Sequence, residues 1–244
     1  MSTARLAWRQ LRFQRMLFWR EPSAAFFSLL LPLLFLFLVA AVFDLDEEGL
    51  EVLVPGIAAM GILAAVFTAL AYHVTFLRDQ GILKRVRGMP VSPVAYFGGL
   101  VGSAVANAVI QVGLVVVLGA LVYDVGWPRD VLQLVLFTAL GAGAFACLGV
   151  AFANVIPNFD AAPALVNAVF LPLIFISGVF YSADSLPRVL DAIAKALPLR
   201  HVVDGLSAAM VTGAPLGDNL GAVAVITAWG AAGALLAVRF FRWE

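Results

Sequence analysis

Charge and cysteine are both scarce in this chain. Only 12% of its 244 residues are charged, 63% are hydrophobic, and the single cysteine, Cys147, excludes an internal disulfide. A soluble domain of this length could not bury so much apolar surface, whereas a polytopic membrane protein exposes it to lipid. The composition therefore predicts a multi-pass membrane protein.

The residues that an active site needs are also missing. No G-x-x-x-x-G-K-[ST] phosphate loop occurs, and the two histidines, His73 and His201, are not spaced as metal ligands. The apolar segments hold no carboxylate, which ion-coupled carriers usually keep at membrane depth to bind the coupling ion. The sequence therefore predicts no catalytic residue, no metal site and no cofactor bound by this chain. The missing carboxylates also argue against a self-contained carrier that is driven by an ion gradient.

Six apolar segments are each long enough to span a bilayer, which takes about 20 residues. None has Asp, Glu, Lys or Arg in its interior. The segments are residues 23–43, 53–77, 95–123, 131–154, 161–181 and 218–240. We therefore predict an all-α polytopic membrane protein with six transmembrane helices, in which residues 1–244 form a single transmembrane domain.

Basic residues set the predicted orientation, because the cytoplasmic loops of membrane proteins carry an excess of Lys and Arg. With the N-terminus in the cytoplasm, the cytoplasmic pieces hold eleven Lys and Arg residues and the external pieces hold four. Thirteen arginines against two lysines also indicate a GC-rich bacterial source. We predict a multi-pass protein of the bacterial cytoplasmic membrane with both termini in the cytoplasm.

Residues 1–22 have the pattern of an amphipathic helix. On a helical wheel the arginines fall within roughly 140° of one another, and tryptophans lie toward the flanks. The residues that define this helix are Arg5, Trp8, Arg9, Arg12, Trp19 and Arg20. The pattern predicts a helix lying in the cytoplasmic interface of the membrane. It can serve as a plain anchor or as a contact for a cytoplasmic partner.

Residues 182–213 are too polar to span a membrane and too regularly patterned to be a loop. Apolar residues recur at helical spacing from Leu186 to Leu197, and Asp191 is spaced to pair with Lys195 on this helix. Pro198 separates it from a second helix that runs to Gly213. We predict two short external helices that dip partway into the membrane as a re-entrant pair, which requires protein or a cavity to cover their backbone. A pair that lies on the external surface is the alternative.

Polar residues form weak stripes within the predicted spans. In lipid, buried amides and hydroxyls usually hydrogen-bond between helices. Lining a substrate pathway is the other role open to them. The candidate pathway-lining residues are Thr68, Tyr72, Ser103, Asn107, Gln111, Asn167 and Ser177.

The most informative feature is the basic loop between the second and third predicted spans, residues 78–93. Apolar residues alternate with cations, Gly81 precedes them, and prolines follow, so the loop can form a short, rigid cytoplasmic helix. Such a helix would be a docking surface, and a loop that only sets topology is the alternative. The candidate docking residues are Arg78, Asp79, Gly81, Ile82, Leu83, Lys84, Arg85, Arg87 and Pro90.

This loop resembles the coupling segment of the six-span permeases of type-2 ATP-binding-cassette (ABC) exporters, in which E/R-R/D-x-x-G-x-L-x-R-L-R-x-x-P follows the second span. Asp79 stands where that family usually has arginine, and Tyr181-Ser182 replaces its usual aromatic-proline pair. Other motifs of the family recur in order, namely Trp19-Arg20-Glu21-Pro22, Val54-Pro55-Gly56-Ile57, Phe175-Ile176-Ser177-Gly178-Val179-Phe180-Tyr181 with Leu186-Pro187 and Ala196-Leu197-Pro198-Leu199, and Arg239-Phe240-Phe241-Arg242-Trp243.

The resemblance implies a permease subunit without ATPase activity of its own. It would pair with a second permease copy in the lipid bilayer and bind two cytoplasmic ABC ATPase subunits, which hold ATP and Mg²⁺, through the 78–90 helix and the N-terminal helix. The chain looks most like the daunorubicin-type drug-efflux permeases, which implies a hydrophobic or amphipathic cargo and a role in antibiotic resistance.

Three alternatives stay open. Within the family, the cargo can be a polysaccharide or a lipid-linked carbohydrate. Outside it, the chain can be a self-contained carrier or channel, or a membrane scaffold that transports nothing. No feature of the sequence indicates a nucleic-acid partner.

Overall fold

The structure, a computed structural model, describes residues 12, 16, 20, 22–87, 93–181 and 187–241. Within these ranges every regular element is helical. The elements are α1 (Pro22–Phe43), α2 (Glu47–Ile62, continued by the π-helical turn Leu63–Thr68 and by Ala69–Asp79), α3 (Ile82–Arg87), α4 (Pro93–Val122), α5 (Val131–Phe152), α6 (Ala162–Ile176), α7 (Arg188–Ala196), α8 (Pro198–Ser207, continued by the π-helical turn Ala208–Thr212) and α9 (Leu220–Phe240, preceded by the 3₁₀ turn Leu216–Asn219).

Four of these helices are long and apolar enough to cross a membrane, which confirms a multi-pass membrane protein. They are Glu47–Asp79, Gly98–Val122, Val131–Phe152 and Leu216–Phe240. Two further apolar helices, Leu30–Phe43 and Ala162–Ile176, are shorter. With 15 residues, α6 is about 22 Å long, less than the roughly 30 Å of a hydrocarbon core. The count of six spans therefore stays a prediction.

The ends of two helices differ from the predicted spans. The second span was predicted over 53–77, but α2 already begins at Glu47, because the Asp46 carboxylate accepts a hydrogen bond from the Gly49 N–H at 2.9 Å and caps the helix. The fifth span was predicted over 161–181, but α6 ends at Ile176. There the chain turns at Gly178, whose φ of +74° favours glycine.

Helix α2 is the most buried of the four long helices, and glycines let its neighbours approach closely. A Cβ on Gly56 would lie 1.9 Å from the carbonyl oxygen of Val179, and a Cβ on Gly61 would lie 1.6 Å from the amide nitrogen of Gln111. The segment that follows α6 and the middle of α4 therefore rest directly on the α2 backbone.

Helix α8 runs antiparallel to α5. The Asp130 N–H donates to the Ala209 carbonyl at 3.0 Å near the C-terminal end of α8, and Val202, near its start, packs on Gly141. Gly141 lies about 16 Å further along α5 than Asp130. Helix α8 therefore starts deep inside the bundle and runs out toward the end at which α5 begins.

The two short helices predicted between residues 182 and 213 are present in the described part, from Pro187 onward. Extended backbone at Leu197 separates them, the predicted Asp191–Lys195 ion pair forms at 2.7 Å, and the second helix ends at Gly213 with a φ of +69°. The start of the first helix, around Leu186, lies outside the described residues.

Helices α5 and α9 run parallel, and small residues hold them in close contact. A Cβ on Gly230 would lie 3.2 Å from the Ala144 Cα, and one on Gly233 would lie 2.9 Å from the Leu148 backbone nitrogen. Because the neighbouring atoms belong to a helix backbone, they cannot yield as a flexible side chain would.

We expect Gly233→Ala to lower the thermal stability of the detergent-solubilised protein. Overpacking against backbone costs about 1–3 kcal/mol, which outweighs the roughly 1 kcal/mol that alanine gains over glycine in a helix. The matched control is Gly221→Ala in the same helix, where a Cβ meets nothing within 4 Å. The control should keep or raise the melting temperature, and equal shifts in both variants would contradict the close α5–α9 contact.

Candidate functional site

Arg78, in the last turn of α2, binds the C-terminal end of α5. Its guanidinium donates to the carbonyl oxygens of Ala153 at 2.9 Å, Ile156 at 2.5 Å and Pro157 at 3.4 Å. The last carbonyls of a helix have no partner within that helix, and a guanidinium carries five N–H donors in a fixed fork. Arg78 therefore caps α5 and fixes the chain that leaves it.

Asp79 holds the next part of the same connection. Its carboxylate accepts a hydrogen bond from the Phe159 N–H at 2.6 Å, and the Phe159 ring packs edge-on against Phe76, with centroids 5.5 Å apart. Asn158 then closes the turn that precedes α6 by accepting from the Ala161 N–H at 2.9 Å. We call Arg78 and Asp79, with their contacts to residues 153–159, the clamp.

Arg78 and Asp79 were predicted to lie in the docking loop. Through the clamp, their side chains bind a different part of the chain. Arg78 and Asp79 belong to the last turn of α2, and their side chains bind within the protein. A docking role for them stays a prediction. The structure gives them the further role of tying the end of α2 to the start of α6.

Helix α3 follows at a sharp turn. Gly81 has a φ of +66°, and its N–H donates to the Arg78 carbonyl at 2.9 Å. Leu83 is fully buried and Ile82 is half-buried against the core, whereas Lys84 and Arg85 are exposed. The apolar residues thus fasten α3 to the bundle, and the two cations face outward. The Arg87 side chain and Pro90 lie outside the described residues.

Most of the predicted N-terminal helix also lies outside them, namely Arg5, Trp8, Arg9 and Trp19. Arg12 and Arg20 are helical and exposed. Their role as a partner contact stays a prediction.

The predicted pathway-lining residues fall into two places. Gln111 is fully buried against Gly61, and neither atom of its amide group has a hydrogen-bond partner among the residues that the structure describes. The packing of Gly119 on Val54 and of Gly61 on Gln111 sets an antiparallel register that brings Thr68 level with Ser103 and Asn107. These residues form a polar seam between α2 and α4, which we define as Thr68, Ser103, Asn107 and Gln111.

The other three candidates lie apart from the seam. Tyr72 is half-buried one turn further along α2, Asn167 is exposed on α6, and Ser177 is fully buried directly after α6. The oxygens Thr68 Oγ1, Asn107 Oδ1 and Ser177 Oγ are buried without a hydrogen-bond partner. The hydrogen bonds between helices that usually satisfy such groups in lipid are therefore not made by these atoms.

A cavity of about 730 Å³ lies between α5, α6 and α9 and reaches the π-helical turn of α2 and the start of α8. None of the predicted pathway-lining residues lines it. Its wall is almost wholly apolar and consists of Leu63, Phe67, Phe145, Leu148, Ala151, Phe152, Asn154, Val155, Val169, Leu173, Leu197, Pro198, Trp229, Leu236 and Phe240.

The family assignment comes from comparison with known proteins. Residues 3–211 match the model of the ABC-2 type transporter family, which is most of the chain. The chain belongs to the ABC-2 type transporter family. The resemblance that the motifs indicated is thereby confirmed.

Three curated relatives carry informative names. The daunorubicin resistance ABC transporter permease protein DrrB1 of Streptomyces coeruleorubidus is 27% identical over 188 residues, 70% of this chain and 63% of the relative. Nodulation protein J of Rhizobium leguminosarum bv. trifolii is 33% identical over 107 residues, which are 44% of this chain and 40% of the relative. The probable multidrug ABC transporter permease YbhS of Escherichia coli K12 is 38% identical over 56 residues, which are 23% of this chain and 15% of the relative. The matched part thus covers less than two thirds of each relative.

This ABC-2 chain also buries a charge that the sequence did not reveal. Arg200, in the first turn of α8, is only 9% exposed. Its Nε donates to both oxygens of the Asp204 carboxylate, at 2.9 and 3.0 Å, while its Nη1 is buried without a partner and faces Gly178. The spacing of Arg200 and Asp204 signals an ion pair, but so does the exposed Asp191–Lys195 pair, and spacing alone does not tell which pair is buried.

Among the residues that the structure describes, no group of three or more His, Cys, Asp or Glu side chains could hold a metal ion. That this chain binds no cofactor stays a prediction.

We expect Asp204→Asn to destabilise the protein by about 2 kcal/mol, because the buried Arg200 guanidinium loses a charged hydrogen-bond partner. Asp191→Asn removes the negative charge of the exposed ion pair of α7 and should change stability by less than about 1 kcal/mol. Thermal unfolding in the same detergent measures both. Equal losses of stability in the two variants would show that the Arg200–Asp204 pair stabilises the protein no more than the exposed pair does.

Proposed function

We propose that this chain is the membrane permease subunit of an ATP-driven ABC exporter and that separate cytoplasmic ABC ATPase subunits act on it through α3. The observation that carries the proposal is the two-sided character of α3. Leu83 is buried in the bundle and Ile82 is half-buried against it, whereas the cations Lys84 and Arg85 are exposed beside the clamp. Membership of the ABC-2 family supports the same conclusion.

The proposed topology has six spans with both termini in the cytoplasm. The end of the bundle that holds α3 carries Arg78, Lys84, Arg85 and Arg239, whereas all the charged residues of the loop before α2 and of its first turns, from Asp44 to Glu51, are acidic. The positive-inside rule places the basic end in the cytoplasm. In this orientation α7 and α8 form a re-entrant pair on the external side, supported by the packing of Val202 on Gly141 deep in the bundle.

A motion of α3 would reach α6 through α2. At the basic end the clamp joins α2 to the chain that begins α6, and at the other end Gly56 lies against the Val179 carbonyl just after α6. Because α2 and α6 are joined at both ends, α2 cannot tilt without moving α6. We infer that ATPase closure is transmitted along this path, in a complex of two permease copies and two ATPases.

A hydrophobic or amphipathic molecule such as a drug is the proposed cargo. Two of the relatives are named for daunorubicin resistance and for multidrug transport. Among the described residues, the long helices offer an apolar interior with scattered amides and hydroxyls and no carboxylate at mid-depth.

Reversal of the α3 charges tests the ATPase contact. Lys84→Glu with Arg85→Glu should abolish co-purification of an ABC ATPase from native membranes, and the wild-type association should weaken as salt rises, because the charges are exposed. The matched control reverses Arg188 and Lys195, which are exposed on α7. Purification at low salt with mass spectrometry of the bound proteins gives the readout.

Either of two results would contradict the proposal. If the wild-type chain retains no ATPase at native expression, a self-contained carrier becomes the better explanation. If the ATPase stays bound to the α3 variant, the docking surface lies elsewhere.

A second test concerns the clamp. Arg78→Lys keeps the charge but cannot reach three carbonyls in one fork, so we expect the ATPase to stay bound while drug export falls severalfold. Arg188→Lys is the matched control, because Arg188 is exposed on α7 and belongs to neither the clamp nor α3. Export from inverted vesicles and ATPase binding should be measured side by side. Normal export by Arg78→Lys would show that the clamp transmits nothing.

A further inference from the structure

The cavity beside α6 is lined neither by the two clamp side chains nor by the Gly56–Val179 contact, and its depth suits one leaflet of a bilayer. Along α9 its wall runs from Trp229 to Phe240, about 16 Å at the rise of a helix. That is half of the roughly 30 Å hydrocarbon core. Its inner end is closed by Leu197 and Pro198, where α8 begins.

The polar groups on the cavity wall are already engaged within the protein. The Trp229 indole N–H donates to the Ala196 carbonyl at 2.8 Å, and the Asn154 side-chain nitrogen donates to the carbonyls of Ala151 at 3.1 Å and Val150 at 3.4 Å. A buried water needs two to four polar partners. The cavity therefore suits hydrocarbon and not water.

The cavity is open on one side. Its wall residues Val169 on α6 and Leu236 on α9 are 37% and 47% exposed, and Trp229 is 37% exposed. The opening thus lies between α6 and α9, on the outer surface of a multi-pass membrane protein. In a bilayer the acyl chains of lipids meet such an opening wherever a second copy of the chain does not cover it.

A cation marks the mouth of the cavity at the basic end of the bundle. Phe240 lines the cavity there, and the exposed guanidinium of Arg239 lies 5.9 Å from the centre of its ring. We propose that this cavity binds one acyl chain of an anionic phospholipid from the leaflet at the basic end, with the lipid phosphate beside Arg239. The site requires only that the chain spans a membrane, so it does not rest on ATP-driven transport.

The test uses the full-length chain in nanodiscs that contain equal amounts of phosphatidylglycerol and phosphatidylcholine. After release and extensive washing with detergent, native mass spectrometry counts the lipids retained by each chain. We expect one phospholipid, with phosphatidylglycerol preferred about fivefold, as a single cation near the headgroup allows. Arg239→Gln should keep a bound lipid and lose this preference.

Filling the cavity separates a specific site from lipid on the general surface. Leu173→Trp places a large ring in the cavity, so retained lipid should fall by about tenfold, equivalent to about 1.4 kcal/mol. Leu171→Trp is the matched control, because Leu171 is exposed on the same helix and does not line the cavity. Equal retention in both variants, or no retained lipid in the wild type, would overturn the proposal.

A second readout is independent of whether Leu173→Trp folds. Phosphatidylglycerol brominated in mid-chain should quench wild-type tryptophan fluorescence more than that of Trp229→Phe, because bromine in the cavity lies against Trp229. Equal quenching would overturn the proposal. Two other results would also overturn it. If Leu173→Trp loses a dimer that the wild type forms, the opening belongs to a second copy of the chain. If daunorubicin displaces the retained lipid, the cavity belongs to the cargo.

Discussion

The contact between the Arg78 guanidinium and the carbonyls of residues 153–157 is the interaction on which the arrangement of the bundle depends. It links the end of the most buried helix to the end of another and sets where α6 begins. A lysine could satisfy one of these carbonyls, but only a planar fork of donors reaches several at once. Because Asp79 binds the same connection from the next position, the clamp fixes both the distance and the direction of the chain.

Periodicity and capping residues carried the sequence prediction most of the way to the helices. The Asp191–Lys195 pair, the break at Pro198 and the end at Gly213 were all predicted from local patterns and confirmed. The predicted spans erred at their ends, since hydropathy does not register a cap such as Asp46, which extends α2 with polar turns. Prolines, capping residues and the spacing of opposite charges mark helix ends directly in a sequence, whereas the length of an apolar segment marks them only approximately.

What the sequence could not predict depends on contacts between distant residues. Arg78 was predicted to be a docking residue, but its partners within the protein lie about eighty positions away and are backbone carbonyls, which leave no mark on the sequence. Arg200 was missed because its burial comes from the depth at which α8 starts. The apolar cavity was missed for the opposite reason, since its lining residues differ in no way from those that face lipid.

The structure separates polar from apolar space. The polar seam of α2 and α4 has buried amides and hydroxyls without partners, whereas the cavity between α6 and α9 has its polar groups paired and its mouth open. In hydrocarbon an unpaired amide is unfavourable. A state in which water or a polar ligand hydrogen-bonds to the seam is therefore favoured over one in which these groups stay unpaired. Because α2 is joined to α6 at both ends, a shift of α2 that opened the seam would also move one wall of the cavity. The two spaces are therefore mechanically coupled although they share no lining residue.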